Sequence, residues 1–172
     1  MSDISREKTY FPYGGTKMEN LLYKDPMSTK DFPGLTKKER ENLAVVMEEL
    51  KGWDHADVEM VLKVMANEAV YHDITLPAAK GHDGIRAFGL NWINAAPDFT
   101  VHIEKFIVQD NYVVNVGRIS GSIQGEYFGL PATKKPFDCM FAQVAVVEKG
   151  KIIYVRDHWD YTTMSRQVGW DK

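Results

Sequence analysis

The chain has 172 residues, 44% of them hydrophobic and 12% aromatic, with a formal net charge of -3 and a single cysteine, Cys139. That length holds one domain with a sizeable core. The charge balance, with no Lys/Arg run beyond two residues, excludes a nucleic-acid footprint and a polybasic membrane patch. One cysteine excludes an intrachain disulfide and a multi-cysteine zinc site. With no apolar stretch in Met1–Glu7 and no run of transmembrane length, a soluble cytoplasmic protein is expected.

Residues 1–35 read as an irregular arm, rich in Pro and Gly, whose Tyr10, Phe11, Tyr13 and Tyr23 call for packing on the body or on a neighbouring subunit. Residues 36–172 read as one α+β domain. Thr36-Lys37-Lys38-Glu39 is a capping box that opens a helix. Leu43, Val46, Met47 and Leu50 form its apolar stripe, and Gly52 is expected to stop it. Asp54 is expected to cap a second helix carrying Val58, Val61, Leu62 and Met65. A short strand from Glu68 to Ile74 follows, then a loop over Leu76–Gly81. Asp83 is expected to cap a third helix with Ile85, Phe88 and Trp92 on one stripe, ending before Pro97.

From there the pattern is strand: Phe99–Val108, a turn at Asp110-Asn111, a long strand from Tyr112 to about Tyr127, a loop over Leu130–Pro136, then Phe137–Glu148 and Lys151–Asp160. Gly117, Gly121 and Gly125 are expected to mark bends or bulges. A terminal helical turn is expected over Thr162–Val168. Helices segregated from a mostly antiparallel meander give an α+β fold. A strongly curved sheet wrapped over three N-terminal helices would form a cone with an internal cavity.

Side chains alternate faces along each strand. One face of the last strand holds Ile153, Val155, Asp157 and Trp159, so Asp157 lies among apolar groups. A carboxylate there is costly unless paired or protonated, which makes Asp157 the first candidate acid or base. Ala69, Tyr71 and Asp73 share a face, as do Phe137, Cys139, Phe141, Gln143 and Ala145. The row Val114, Val116, Arg118 and Ser120 is assigned to the same interior. The cavity then holds Tyr71, Asp73, Arg118, Ser120, Gln143 and Asp157, with Trp92, Phe141 and Trp159 on its walls. This is the form of a small-molecule site. Arg118 within a strand needs an anion, either Asp157 or a ligand oxygen, and Asp73 at a strand end would equally serve as a turn cap. His72 and His158 fall on the faces away from the cavity unless a bulge reverses them, and both are kept as second choices. Cys139 reads as inert core. No ligand spacing for a metal is present.

The segments Gly81-His82-Asp83-Gly84-Ile85-Arg86-Ala87-Phe88, Phe128-Gly129-Leu130-Pro131-Ala132-Thr133, Gly150-Lys151-Ile152 and Arg156-Asp157-His158-Trp159-Asp160 resemble a SnoaL-like polyketide cyclase, within the nuclear transport factor 2-like superfamily. The resemblance covers about residues 38–169. It implies a cofactor-free intramolecular aldol ring closure with Asp157 as general acid/base and Asp73 helping to hold the substrate. The expected activity is that of a cyclase or isomerase of a small, apolar, oxygenated polyketide- or terpenoid-like molecule. It also implies a homodimer. Gln143 stands where the cyclase pattern has a His. The chain is also similar to limonene-epoxide-hydrolase-like proteins at Tyr71, Leu76-Pro77, Arg118 and Arg156-Asp157. That implies an Asp157–Arg118 unit activating water and an epoxide, with Ser120 where a second Asp belongs. Ketosteroid-isomerase-like proteins place a catalytic Asp at the position of Asp73. A non-catalytic binding or assembly module on the same cone is the third expectation.

Overall fold

The computed structural model describes residues 28–171. Most of the expected N-terminal arm, including its four tyrosine and phenylalanine positions up to Tyr23, lies outside the described residues. A short 3-10 turn, Thr29–Asp31, leads into the body. The Arg40 guanidinium donates to the carbonyls of Thr29 at 2.5 Å and Leu35 at 3.3 Å, and Phe32 meets Phe106 edge-on at 5.8 Å.

Helix α1 spans Lys37–Asp54 and begins with the capping box: Thr36 Oγ1 accepts from the Glu39 amide at 3.2 Å, and the Thr36 amide donates to Glu39 at 2.9 Å. Gly52 does not end it. The helix runs on to Asp54, and a Cβ at Gly52 would stand 2.7 Å from Val61 Cγ2, so this glycine allows close approach of the next helix. Helix α2, Val58–Val64, is capped by Asp57 rather than Asp54. Asp57 accepts from the Met60 amide at 3.0 Å.

Strand β1 spans Met65–Asp73, so Met65 opens the strand instead of closing the helix. A register shift between Met65 and Val70 absorbs the early start. The loop expected over Leu76–Gly81 contains a two-residue strand β2, Ala79–Lys80, too short to leave a periodic signal. Helix α3 runs Gly81–Ala95 without a side-chain cap. Asp83 lies inside its first turn and pairs with Arg86 at 3.0 Å, where a negative charge suits the helix dipole.

Strands β3 (Thr100–Gln109), β4 (Tyr112–Ser122), β5 (Pro136–Glu148) and β6 (Lys151–Trp159) form the antiparallel meander, followed by helix α4 at Tyr161–Val168. Asp160 caps α4 by accepting from the Thr163 amide at 3.0 Å. The sheet order is β2-β1-β6-β5-β4-β3, with β1 parallel to β6 and every other pair antiparallel. This is an α+β fold on a curved, mixed six-stranded sheet. Curvature is placed where β3 shifts register between Ile103 and Lys105, opposite Gly117. A Cβ at Gly117 would lie 2.1 Å from the His102 carbonyl oxygen, which only glycine permits. Gly125 lies beyond the end of β4 rather than within it. Leu43, Val46, Val61, Met65, Ile85, Val113, Ile152, Val155 and Met164 are fully or nearly fully buried between helices and sheet. Among the described residues no helix is long and apolar enough to cross a membrane.

Candidate active site

The concave face of the sheet carries one polar row across four strands. Asn115 of β4 is opposite Gln143 of β5, Gln143 is opposite Asp157 of β6, and Asp157 is opposite Asp73 of β1. All four are buried, at 0%, 2%, 6% and 2% exposure. Around this row Leu50, Trp53, Tyr71, Phe88, Trp92 and Phe99 join Val101, Ile119, Phe141 and Trp159. With Gln143 and Asp157 they enclose a chamber of about 40 Å³. The chamber has room for a few atoms. A second space of about 360 Å³ lies outside it, lined by Leu76, Pro77, Ala79, Phe88, Asn91 and Phe128 among others. Phe88 belongs to both walls and stacks on Phe128 at 5.9 Å.

Tyr71 donates its hydroxyl to Asp157 Oδ2 at 2.5 Å, while Asp157 Oδ1 has no hydrogen-bond partner. Burial raises the Asp157 carboxyl to about 7; the Tyr71 hydroxyl pulls it down, the Asp73 charge pushes it up and Gln143 pulls weakly down. The Tyr71 phenol is itself raised well above its ordinary value, first by burial and then by the Asp157 charge, so it stays a donor. Gln143 accepts from Asn115 Nδ2 at 2.8 Å and donates to Glu49 at 3.3 Å. Asp73 has its oxygens committed elsewhere: Oδ1 accepts from the Thr75 amide and hydroxyl at 2.8 and 2.6 Å, and Oδ2 from Tyr127 at 3.3 Å. It is the turn cap, beside Asp157 in register but not on the chamber wall.

Two expected site residues lie on the other side of the sheet. Val113, Asn115, Gly117 and Ile119 face inward along β4, so Arg118 and Ser120 face outward. Arg118 pairs with Asp138 of the next strand at 2.7 Å, with both side chains one-third exposed. Ser120 shares a hydrogen bond with Thr100 at 3.1 Å. The anion that Arg118 requires is therefore Asp138, and no Asp157–Arg118 unit forms. His72 follows strict alternation and also lies outside the chamber, opposite Arg156. Tyr71, Trp92, Phe141, Gln143, Asp157 and Trp159 are brought together as expected.

Sequence reasoning missed Glu49, Trp53, Phe88 and Asn115. Glu49 is fully buried, accepts from its own helix neighbour Trp53 Nε1 at 2.5 Å, and is pushed up to about 8, by burial first and the Asp157 charge second. Its signal was present. It lies three residues after Val46 and four before Trp53, inside the apolar stripe of α1. Cys139 is buried and its thiol is pushed up to about 12, mainly by burial, which makes it unreactive.

The family model for SnoaL-like polyketide cyclases matches residues 44–168, well over half of the chain. The chain belongs to the SnoaL-like polyketide cyclase family. Solved structures agree on the fold, that of SnoaL and nuclear transport factor 2-like proteins. A candidate SnoaL-like polyketide cyclase from Jannaschia sp. CCS1 superposes with a TM-score of 0.75 at 17% identity, over 82% of this chain and 100% of that one. IdmH, a candidate polyketide cyclase from Streptomyces antibioticus, gives 0.62 at 20% identity over 74% and 98%. TerC, crystallised with polyporic acid, gives 0.63 at 18% identity over 75% and 98%. No curated protein matches the chain.

Proposed function

We propose that this chain is a cofactor-independent acid/base enzyme that closes a ring, or moves a double bond, in a small and largely apolar oxygenated molecule of polyketide-like character. The observation that carries this reading is Asp157: a buried carboxyl at about 7, oriented by Tyr71, with one oxygen unpartnered on the wall of an apolar chamber. A group poised near neutral pH takes and returns a proton most effectively. As carboxylate, Asp157 removes a proton from carbon beside a carbonyl; the C–H pair moves into an enolate, whose oxygen the Gln143 amide is placed to steady. The enolate carbon attacks a second carbonyl, and the resulting alkoxide recovers the proton from Asp157. Asp73 acts on this step through its charge. The outer space is of ligand size and would hold the body of the molecule, with its reacting end in the chamber.

The test is proton exchange at carbons beside the carbonyl in aromatic and cyclic ketones in heavy water, followed by NMR. The reading expects exchange above the buffer rate, together with ring-closed or isomerised products from suitable polyketide-like compounds. Oxygen from labelled water appearing in a diol would select epoxide hydrolysis instead. The small chamber favours one second reading, a binding module that uses only the outer space. There, ligands would bind and no exchange would follow.

By resemblance the protein is a homodimer. The outward row of Val114, Val116, Ala142 and Val144, only half-buried in the single chain, supports an interface on that face. A cytoplasmic setting belongs to the same reading.

A further inference from the structure

Glu49 is a charged residue type at the centre of the molecule with no cation beside it. It is 0% exposed, and among the described residues no ion pair includes it or Asp157. Both of its donors, Trp53 Nε1 at 2.5 Å and Gln143 Nε2 at 3.3 Å, go to Oε1. Three buried acceptors are left without a donor: Glu49 Oε2, Asn115 Oδ1 and Asp157 Oδ1. Two buried carboxylates and no cation would be a heavy desolvation cost. A protonated Glu49 removes one of the charges and supplies an O–H donor to a region that has too few.

We propose that Glu49 is a positioning residue that keeps its proton while Asp157 ionises, so that the chamber carries one negative charge and not two. The titratable groups facing Glu49 are Asp157 from β6 and Tyr71 from β1; Trp53 from α1 and Gln143 from β5 are uncharged. The order of ionisation fits this arrangement. Asp157 lines the chamber and takes the Tyr71 hydroxyl at 2.5 Å, whereas Glu49 is 0% exposed, lies off the chamber wall and has only indole and amide N–H donors. Asp157 is therefore the better placed of the two to carry the charge; burial raises both carboxyls, and the Asp157 charge raises Glu49 further. The two form one coupled unit bridged by Gln143. Ionisation of Glu49 places a second negative charge next to the position of an enolate, which opposes its formation. Glu49 thereby sets an upper pH limit on the site. It also fixes Gln143 and Trp53, both of which line the chamber.

The inference rests on the proposed role of Asp157 only in its kinetic arm. The first arm is infrared titration of the protonated-carboxyl C=O stretch in the intact protein. The wild type should lose two such bands with midpoints of about 7 and 8. Glu49→Gln should lack the upper one, and Asp157→Asn should lower the Glu49 midpoint by removing the neighbouring charge. An absent Glu49 band well below neutral pH, or a midpoint unmoved by Asp157→Asn, overturns the inference. The second arm is the pH dependence of turnover. The wild type should fall off on the alkaline side, whereas Glu49→Gln, which keeps an acceptor for Trp53, should lose that fall whatever its absolute rate. An unchanged alkaline limb in a folded Glu49→Gln protein also overturns it. Normal infrared behaviour combined with turnover indifferent to Asp157→Asn would leave the Glu49 inference standing and remove the acid/base reading of the site.

Discussion

The Tyr71 hydroxyl donates to Asp157 Oδ2 at 2.5 Å from the adjacent parallel strand, and this bond both orients the carboxyl and lowers its proton affinity. Burial acts in the opposite direction and is the larger effect. Tyr71→Phe should therefore raise the Asp157 midpoint above about 7 and move the acid limb of any pH–rate profile to higher pH. It should also cost about 1.5–3 kcal/mol in stability, the worth of a hydrogen bond to a charged group, most clearly where Asp157 is ionised. Denaturant unfolding on both sides of neutral pH measures this.

The two raised carboxyls make stability depend on pH with a definite sign. In the unfolded chain they ionise near their model values of 3.8 and 4.5, and in the folded protein at about 7 and about 8. The folded state thus binds more protons between those limits. Their contribution is fully present below the unfolded values and is lost as pH rises through the folded ones. The loss by alkaline pH is on the order of 4 kcal/mol for each, from about 1.4 kcal/mol per pH unit. Asp157→Asn and Glu49→Gln should each stabilise the protein at about pH 9 and change little at about pH 4. Urea midpoints across that range provide the check.

Arg118 and Asp138 form a partly exposed pair on the outward face, which predicts a small effect on removal. Arg118→Ala should cost no more than about 1 kcal/mol. Turnover should stay within about twofold, a barrier change of about 0.5 kcal/mol or less, because the guanidinium contacts neither Asp157 nor the chamber. A collapse of activity in a stable Arg118→Ala protein, measured beside its melting curve, would restore the epoxide-hydrolase arrangement.

Phe88 lines both the chamber of about 40 Å³ and the outer space of about 360 Å³. Phe88→Ala should widen the way between the two, lower KM for bulkier ketones and cost up to about 3 kcal/mol, the lower end for a buried aromatic, since this side chain is only half-buried. Steady-state kinetics over a size series of ketones would show it.

Much of the site was legible because three strands announce their faces. In β1, β5 and β6 the row containing Tyr71, Gln143 or Asp157 is bounded by residues whose burial is unambiguous. β4 gives no such answer, with Val113 on one face and Val114 and Val116 on the other. Its direction is decided by Gly117, which must face the β3 backbone, and by the Arg118–Asp138 pair, which is legible only once strand register is known. In β6 a register shift beside Val146 and Val147 brings Ile152 inward with Val155 and Asp157 in place of Ile153. Glu49 escaped because a helical Glu is ordinarily solvated. Its buried partners are the Trp53 indole four residues on and the Gln143 amide, and the latter is placed only by the tertiary fold.

The most direct measurement is the proton-exchange rate at carbons beside the carbonyl of an aromatic ketone, across the neutral range, for wild type and Asp157→Asn. Asp157 as the working base predicts a wild-type rate that rises with a midpoint of about 7. It predicts a loss of about 10²–10⁴-fold in Asp157→Asn. Equal rates in the two proteins, with the variant folded, would contradict it.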